Sequence, residues 1–189
     1  MKKIETELKD CFILEPDVFG DERGYFMEFY SSKKITENNL DNILPNVIQG
    51  NRSLSKKGTL RGLHYQLNPM CQTKLVECLD GAVLDVVVDL RKSSPTYKKW
   101  IAVELTKENH RQLLVPRGFA HGFLTLKDNT LFQYLVDNPY APDYEDGFAW
   151  DDPEIGVDWS FEKYGIKTPI LSEKDSHRTS YQESRADFE

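Results

Sequence analysis

The chain has 189 residues, of which 39% are hydrophobic, 29% charged and 12% aromatic, as is usual for a globular protein. Since this length corresponds to about one domain, we expect a single domain over residues 1–189 with short N- and C-terminal extensions. The net charge of −7 argues against nucleic acid and anionic membranes as partners, because both would require a basic surface.

The sequence indicates neither a targeting segment nor disulfides. The first residues contain no apolar run, and the longest apolar stretch, around Ala82–Leu90, is interrupted by aspartates, so we expect no signal peptide and no membrane span. The three cysteines, Cys11, Cys71 and Cys78, are odd in number and form no CxxC pair. They indicate reduced thiols in a cytoplasmic protein rather than a disulfide framework or a structural zinc site.

In chain order, the predicted elements are mostly short strands. Residues up to Val47 show a less regular pattern, with a short helix over Ser31–Asn39, and we expect this part to pack across a partner subunit. The tail beyond Ser172 is predicted to hold another short helix. Short strands separated by turns, without long helices, predict an all-β sandwich, jelly roll or barrel. The predicted strands are Leu75–Leu79, Ala82–Leu90, Trp100–Leu105, Arg111–Val115 and Leu131–Val136.

Two of these strands alternate in a way that predicts an interior cavity. In Ala82–Leu90 the even positions are apolar, whereas the opposite face mixes valines with Asp85 and Asp89. In Leu131–Val136, Tyr134 shares a face with Phe132 and Val136, which directs its hydroxyl group into the barrel.

The four histidines fall into two groups. His110 and His177 lie in polar stretches and are predicted to be solvated. His64 and His121 are flanked by glycine and apolar residues, which is typical of a partly buried ring that backbone or ligand approaches closely. A barrel metalloenzyme would usually offer a His-x-His pair, but the position two after His64 is Gln66, so we expect no metal.

The remaining chemistry is proton transfer. A histidine suits a general base near neutral pH, and either Asp85 or Asp175 is a candidate carboxylate partner for it. Tyr134 is a candidate catalytic residue, although a buried tyrosine often makes only a structural hydrogen bond. Lys74 opens the apolar strand Leu75–Leu79, where a cation can stabilise a developing oxyanion.

From about Phe12 to Asp175 the chain resembles the dTDP-4-dehydrorhamnose 3,5-epimerases and related sugar-nucleotide epimerases. The resemblance rests on many short motifs in one order rather than on any single motif. They are Phe19–Glu28, Gln49–Ser55, Leu60–Gln66, Gln72–Val76, Asp85–Arg91, Ser94–Tyr97, Pro116–Phe123, Trp150–Pro153 and Leu171–Asp175.

The resemblance implies a cupin-type jelly-roll β-barrel, a homodimer, no metal and no cofactor. It implies that His64 is the base, Asp175 its acidic partner, Tyr134 the proton donor on the opposite face of the sugar, and Lys74 the cation at the 4-keto oxygen. It also implies a set of contacts to a nucleotide-diphospho sugar, some of them supplied across the dimer. These residues are Arg23, Phe26, Glu28, Gln49, Asn51, Arg61, His121, Tyr140, Glu145 and Lys174.

The expected reaction is inversion at C3 and C5 of a nucleotide-linked 4-keto-6-deoxy sugar through an enolate. Gly50 and the stretch Leu135–Pro139 depart from the family pattern near the nucleotide and sugar. The alternative within this chemistry is therefore a single-site epimerase acting on another substrate, such as a GDP-linked 6-deoxyheptose. Two further alternatives are a non-catalytic cupin-like sugar-binding module and a metal-dependent cupin oxygenase or isomerase.

The spacing of Arg61 and His64 makes one structural prediction. Residues three apart on a regular strand point to opposite faces of the sheet. Because Gly62 lies between them, we predict a bulge or local twist that turns both side chains inward.

Overall fold

The computed structural model describes residues Met1–Glu189 and contains thirteen strands and two short α-helices. The helices are α1 (Ser32–Glu37) and α2 (Glu173–Ser176), and none of the helices is long and apolar enough to cross a membrane. The strands are β1 (Lys2–Glu5), β2 (Phe12–Glu15), β3 (Val18–Asp21), β4 (Gly24–Met27), β5 (Gln49–Ser55), β6 (Leu60–Gln66), β7 (Lys74–Asp80), β8 (Ala82–Asp89), β9 (Trp100–Thr106), β10 (Gln112–Val115), β11 (Phe119–Thr125), β12 (Thr130–Val136) and β13 (Glu145–Gly147).

Two antiparallel sheets form the body of the fold. One has the strand order β1-β2-β10-β7-β12-β5 and the other β13-β6-β11-β8-β9, while β3 and β4 form a separate hairpin. The all-β prediction and the five predicted strands are confirmed, with ends shifted by one residue at most. The two predicted short helices are confirmed as well.

Before Val47 the structure contains four strands that the less regular sequence pattern does not predict. Strands β1 to β4 have four residues each, and β1 and β2 extend the larger sheet at its outer edge. A four-residue strand shows only two residues on each face, which is too few for alternation to stand out in a sequence.

Apolar side chains fill three layers. The layer between the sheets contains Val76 and Phe132 from one sheet and Val83, Val87 and Phe123 from the other. The C-terminal segment covers the outside of the smaller sheet, and α1 with the residues after it covers part of the larger one. The predicted inward face of β8 is confirmed, because Val83 and Val87 belong to the interior layer and Asp85 is fully buried.

A bulge in β6 brings two functional side chains to one face. His121 of β11 pairs with His64, but Phe123 pairs with Arg61, so β6 contains one extra residue. Gly62 adopts a φ of +133°, and a Cβ there would lie 2.5 Å from the Cα of Gly122. Only glycine fits this backbone approach. The predicted bulge is confirmed, and Arg61 and His64 both line the cavity described next.

Candidate active site

A cavity of about 270 Å³ lies inside the barrel, and most of the side chains around it are polar. Strands of both sheets contribute, together with the C-terminal segment around α2. The lining residues are Asn51, Arg52, Ser53, Arg61, His64, Lys74, His121, Phe123, Tyr134, Ser172, Lys174 and Asp175.

His64 is paired with Asp175. The distance from His64 Nε2 to Asp175 Oδ1 is 2.5 Å, and the carboxylate is buried while the imidazole is partly exposed to the cavity. The Ser172 hydroxyl accepts the Asp175 backbone N–H at 3.0 Å, which caps α2 and fixes the position of the carboxylate. Burial alone would raise the pKa of Asp175, but the hydrogen bond and charge of His64 lower it below its ordinary value. Of the two candidate partners for His64, the structure selects Asp175.

The other candidate, Asp85, is paired with His121. His121 Nε2 lies 2.9 and 3.1 Å from the two carboxylate oxygens of Asp85. Burial lowers the pKa of His121, and the charge of Asp85 opposes this shift. The ring of His121 reaches the cavity wall, whereas Asp85 lies behind it.

Lys74 and Tyr134 stand on neighbouring strands, β7 and β12, and share the cavity. The ammonium nitrogen of Lys74 is 5.9 Å from the ring centroid of Tyr134. Burial lowers the pKa of Lys74 to about 8, although the charges of Asp85 and Glu145 oppose the shift. Burial and the charge of Glu145 raise the pKa of Tyr134, so the phenol stays protonated across the neutral range.

The structure adds cavity residues that the sequence interpretation missed, among them Ser53, Phe123 and Ser172. Ser53 is notable because its hydroxyl oxygen is buried without a hydrogen-bond partner in the protein. Its spacing of two from Asn51 on β5 was a usable signal, since alternate residues of a strand face the same side.

A chain of contacts leads from the cavity to its rim. Gln49 donates to Asn51 at 2.8 Å and accepts the backbone N–H of Tyr140 at 3.1 Å. The Tyr140 hydroxyl donates to Glu145 at 2.6 Å, and Lys174 binds the same carboxylate at 2.7 Å. Burial would raise the pKa of Glu145, but the hydrogen bonds from Lys174 and Tyr140 lower it. The structure thus brings these five predicted residues together beside the cavity.

The remaining predicted residues lie apart from the cavity. Arg23 and Phe26 belong to the exposed β3–β4 hairpin, where Arg23 pairs with Asp21, and Glu28 follows the hairpin and pairs with Lys34 at 3.1 Å. The two histidines predicted to be solvated, His110 and His177, also lie outside the cavity.

Neither metal ligands nor disulfides are found in the described chain. No group of three or more His, Cys, Asp or Glu side chains is arranged to hold a metal ion. The three cysteines are buried and unpaired.

The antiparallel barrel, with its polar cavity between the two sheets, is a jelly roll of the cupin type. A family model described as dTDP-4-dehydrorhamnose 3,5-epimerase matches residues 5–183. The enzyme of that name from Shigella flexneri is 49% identical over 175 residues, which is 93% of each chain. The crystal structure of the Elizabethkingia anophelis enzyme is 44% identical, with a TM-score of 0.89 and 99% of each chain covered.

A Legionella pneumophila epimerase, solved in complex with dTDP-4-keto-L-rhamnose, is 40% identical, with a TM-score of 0.89, covering 96% of this chain and 93% of that one. The chain belongs to the dTDP-4-dehydrorhamnose 3,5-epimerase family.

Proposed function

We propose that the chain inverts C3 and C5 of a dTDP-linked 4-keto-6-deoxy sugar, taking dTDP-4-dehydro-6-deoxyglucose to dTDP-4-dehydrorhamnose. The names of its relatives support this reaction, as does the sugar nucleotide bound to the Legionella enzyme. The observation that carries the proposal is that the His64–Asp175 pair, Lys74 and Tyr134 face one cavity.

The 4-keto group explains why these side chains suffice. It acidifies the C–H bonds at C3 and C5, because the carbanion left after proton removal is delocalised onto oxygen as an enolate. In our proposal the ammonium group of Lys74 binds that oxygen. One such pre-organised donor is worth roughly 10²–10³ in rate.

His64 is the proposed base. An ionised carboxylate can only accept hydrogen bonds, so we assign the proton of the neutral ring to Nε2, which faces Asp175. Nδ1 then keeps its lone pair and can take the proton from carbon. Asp175 stabilises the imidazolium that results.

Tyr134 is the proposed proton donor. Inversion requires that the new proton arrive on the face opposite to the one that was deprotonated, so a second group is needed. The raised pKa keeps the Tyr134 phenol protonated, and the neighbouring Lys74 ammonium stabilises the phenolate that forms until solvent restores its proton.

The nucleotide part of the substrate is proposed to lie along the rim. A cavity of about 270 Å³ is below the usual range of roughly 300–1,000 Å³ for drug-sized ligands, so it suits the sugar alone. The guanidinium of Arg61 offers a planar fork for the diphosphate. In our proposal Tyr140 stacks on the base, and Gln49, Asn51, Glu145 and Lys174 make further contacts.

We also propose that the protein is a cytoplasmic homodimer of single-domain subunits. The hairpin exposes 64% of Phe19 and 71% of Phe26, and Leu54 on the edge strand β5 is 64% exposed. Apolar side chains so exposed are typical of an interface. A partner covering them would carry Arg23, Phe26 and Glu28 towards the neighbouring site. The C-terminal segment supplies Lys174 and Asp175 to the barrel, which favours one domain.

The proposal is tested by incubating the protein in heavy water with a panel of 4-keto sugar nucleotides that differ in base and sugar length. We expect the dTDP-linked 6-deoxyhexose to react and to carry deuterium at both C3 and C5 by NMR. Label at one carbon only would identify a single-site epimerase, and preference for a GDP-linked heptose would change the substrate. A sugar without label at either carbon would contradict the proposal.

A further inference from the structure

Asp85 is a buried carboxylate to which the proposed chemistry gives no role. Its side chain is fully enclosed on β8, behind the cavity wall, and its hydrogen bonds go to His121 Nε2. Asp89 lies four residues further along the same strand and is also enclosed. Its carboxylate is held by hydrogen bonds from Arg91, Ser94 and Thr96 at the end of the barrel. Asp85 has no such cationic partner in contact.

Lys74 is the complementary case, a cation without an acid at contact distance. The two carboxylates whose charges act on it are those of Asp85 and Glu145. Glu145 is already bound by Lys174 and Tyr140, so much of its charge is neutralised at the rim. The titratable or charged groups that line the cavity together with Lys74 are Arg52 of β5, Arg61 and His64 of β6, His121 of β11, Tyr134 of β12, and Lys174 and Asp175 of α2. Asp85 of β8 and Glu145 of β13 do not line the cavity, but their charges act on Lys74.

We propose that Asp85 is a positioning residue that keeps Lys74 in its ammonium form and holds the ring of His121 against the cavity wall. This inference rests on the proposed function for its catalytic consequence, but the coupling itself is a property of the ligand-free protein. Asp85 and His121 form one hydrogen-bonded unit, and His121 lines the same cavity as Lys74.

Electrostatics supplies the reason. Burying an ammonium group favours its neutral form, and a negative charge nearby opposes this. Burial raises the pKa of Asp85, whereas the charges of His121 and Lys74 and the His121 hydrogen bond lower it. We assign Asp85 as ionised, so that His121 donates to it through Nε2–H, and the charges of His121 and Lys74 oppose the effect of burial. Lys74 could bind an enolate oxygen only while it remains an ammonium group.

The test is a titration of Lys74 by NMR, in protein labelled with ¹³C at the lysine ε-carbons and without substrate. The Lys74 signal is assigned as the one missing from Lys74→Met. In Asp85→Asn, which keeps the volume and loses the charge, we expect the Lys74 pKa to fall from about 8 by about one unit. The matched control is Asp89→Asn, which removes a buried charge from the same strand and should leave the Lys74 titration in place.

Activity gives a second readout. A fall of about one unit reduces the ammonium fraction at pH 7.5 about threefold and leaves it nearly unchanged at pH 6. We therefore expect Asp85→Asn to lower kcat/KM about threefold more at pH 7.5 than at pH 6. A purely structural defect would lower kcat/KM by the same factor at both values of pH.

A reciprocal measurement does not depend on the folding of Asp85 variants. Coupling between two sites is mutual, so the carboxyl ¹³C titration of Asp85 should move to higher pH in Lys74→Met. An unchanged Lys74 pKa in folded Asp85→Asn, or an unchanged Asp85 titration in Lys74→Met, would overturn the inference. If the Lys74 and Asp85 titrations are coupled but the protein does not turn over the sugar nucleotide, only the proposed function is contradicted.

Discussion

At the scale of single residues, the two imidazoles of the cavity have carboxylate partners in different surroundings. His64 is partly exposed to the cavity and pairs through Nε2 with Asp175 on the C-terminal segment. His121 and Asp85 are both buried, and burial lowers the pKa of His121. The His64–Asp175 pair is therefore suited to proton transfer. The His121–Asp85 pair is suited to holding the His121 ring in place and to keeping a negative charge near Lys74.

Lys74 gives a prediction about pH. Its pKa of about 8 means that its charge is present below this value and is lost as the pH rises through it. Since the pKa of Tyr134 is raised, the phenol does not ionise in this range. We expect kcat/KM, which reports the free enzyme, to fall above about pH 8.

Lys74→Arg should abolish this alkaline decline, because an arginine stays protonated to about pH 12. Its kcat/KM below pH 7 should nevertheless be lower, since the guanidinium fork is not the shape of an ammonium group. Lys174→Arg at the rim is the control and should keep the decline near pH 8. A decline at the same pH in Lys74→Arg would show that another group causes it.

At the scale of elements, the bulge in β6 determines which side chains meet. Without the extra residue, Arg61 and His64 would lie on opposite faces of the sheet. Gly62 allows the bulge through its positive φ and through its close approach to the backbone of His121 and Gly122.

Gly62→Ala should therefore lower the free energy of unfolding by about 2–4 kcal/mol, combining a disfavoured φ with a backbone clash. Gly165→Ala is a matched control, because Gly165 also has a positive φ (+62°), but no heavy atom lies within 4 Å of the position that an alanine Cβ would occupy. It should lose only about 1–2 kcal/mol. Urea unfolding measures the free energy of unfolding of both variants. Equal losses would show that the close backbone approach at Gly62 contributes nothing.

Part of this architecture is predictable from the sequence, because β7, β8, β9 and β12 have seven or eight residues, and β10 is a short apolar run that follows a polar stretch. The seven-residue strands β5, β6 and β11 are not predicted, since polar residues and glycines interrupt their apolar pattern. The bulge is also predictable, because Arg61 and His64 are three residues apart and would face opposite sides of a regular strand. The short strands before Val47 are not, since four residues carry little pattern. The pairing of two histidines with two aspartates is not predictable from the residues alone, because Asp175 is 111 positions from His64 and reaches it only through the tertiary fold.

At the scale of the whole molecule, one chain encloses the proposed acid–base groups but leaves part of the predicted nucleotide site elsewhere. Arg23, Phe26 and Glu28 stand on or beside a hairpin that pairs with neither main sheet. If a second subunit supplies them, each site of the dimer combines His64 of one chain with the hairpin of the other.

Complementation tests this arrangement. His64→Ala and Arg23→Ala should each be nearly inactive, whereas a dimer formed from one copy of each contains one intact site. Random pairing of equal amounts makes about half of the dimers mixed, so co-expression should restore about one quarter of the parent activity. If the hairpin serves its own subunit, no activity should return.

His64 and Tyr134 are proposed to act on opposite faces of one acidified carbon. Locating solvent deuterium in the sugar after a single turnover by the parent protein, His64→Ala and Tyr134→Phe would show whether they do. We predict label with inversion at C3 and C5 for the parent, no label for His64→Ala, and for Tyr134→Phe some exchange with much slower inversion. Inversion by Tyr134→Phe at the parent rate, or labelling by His64→Ala, would contradict the assignment of these two residues.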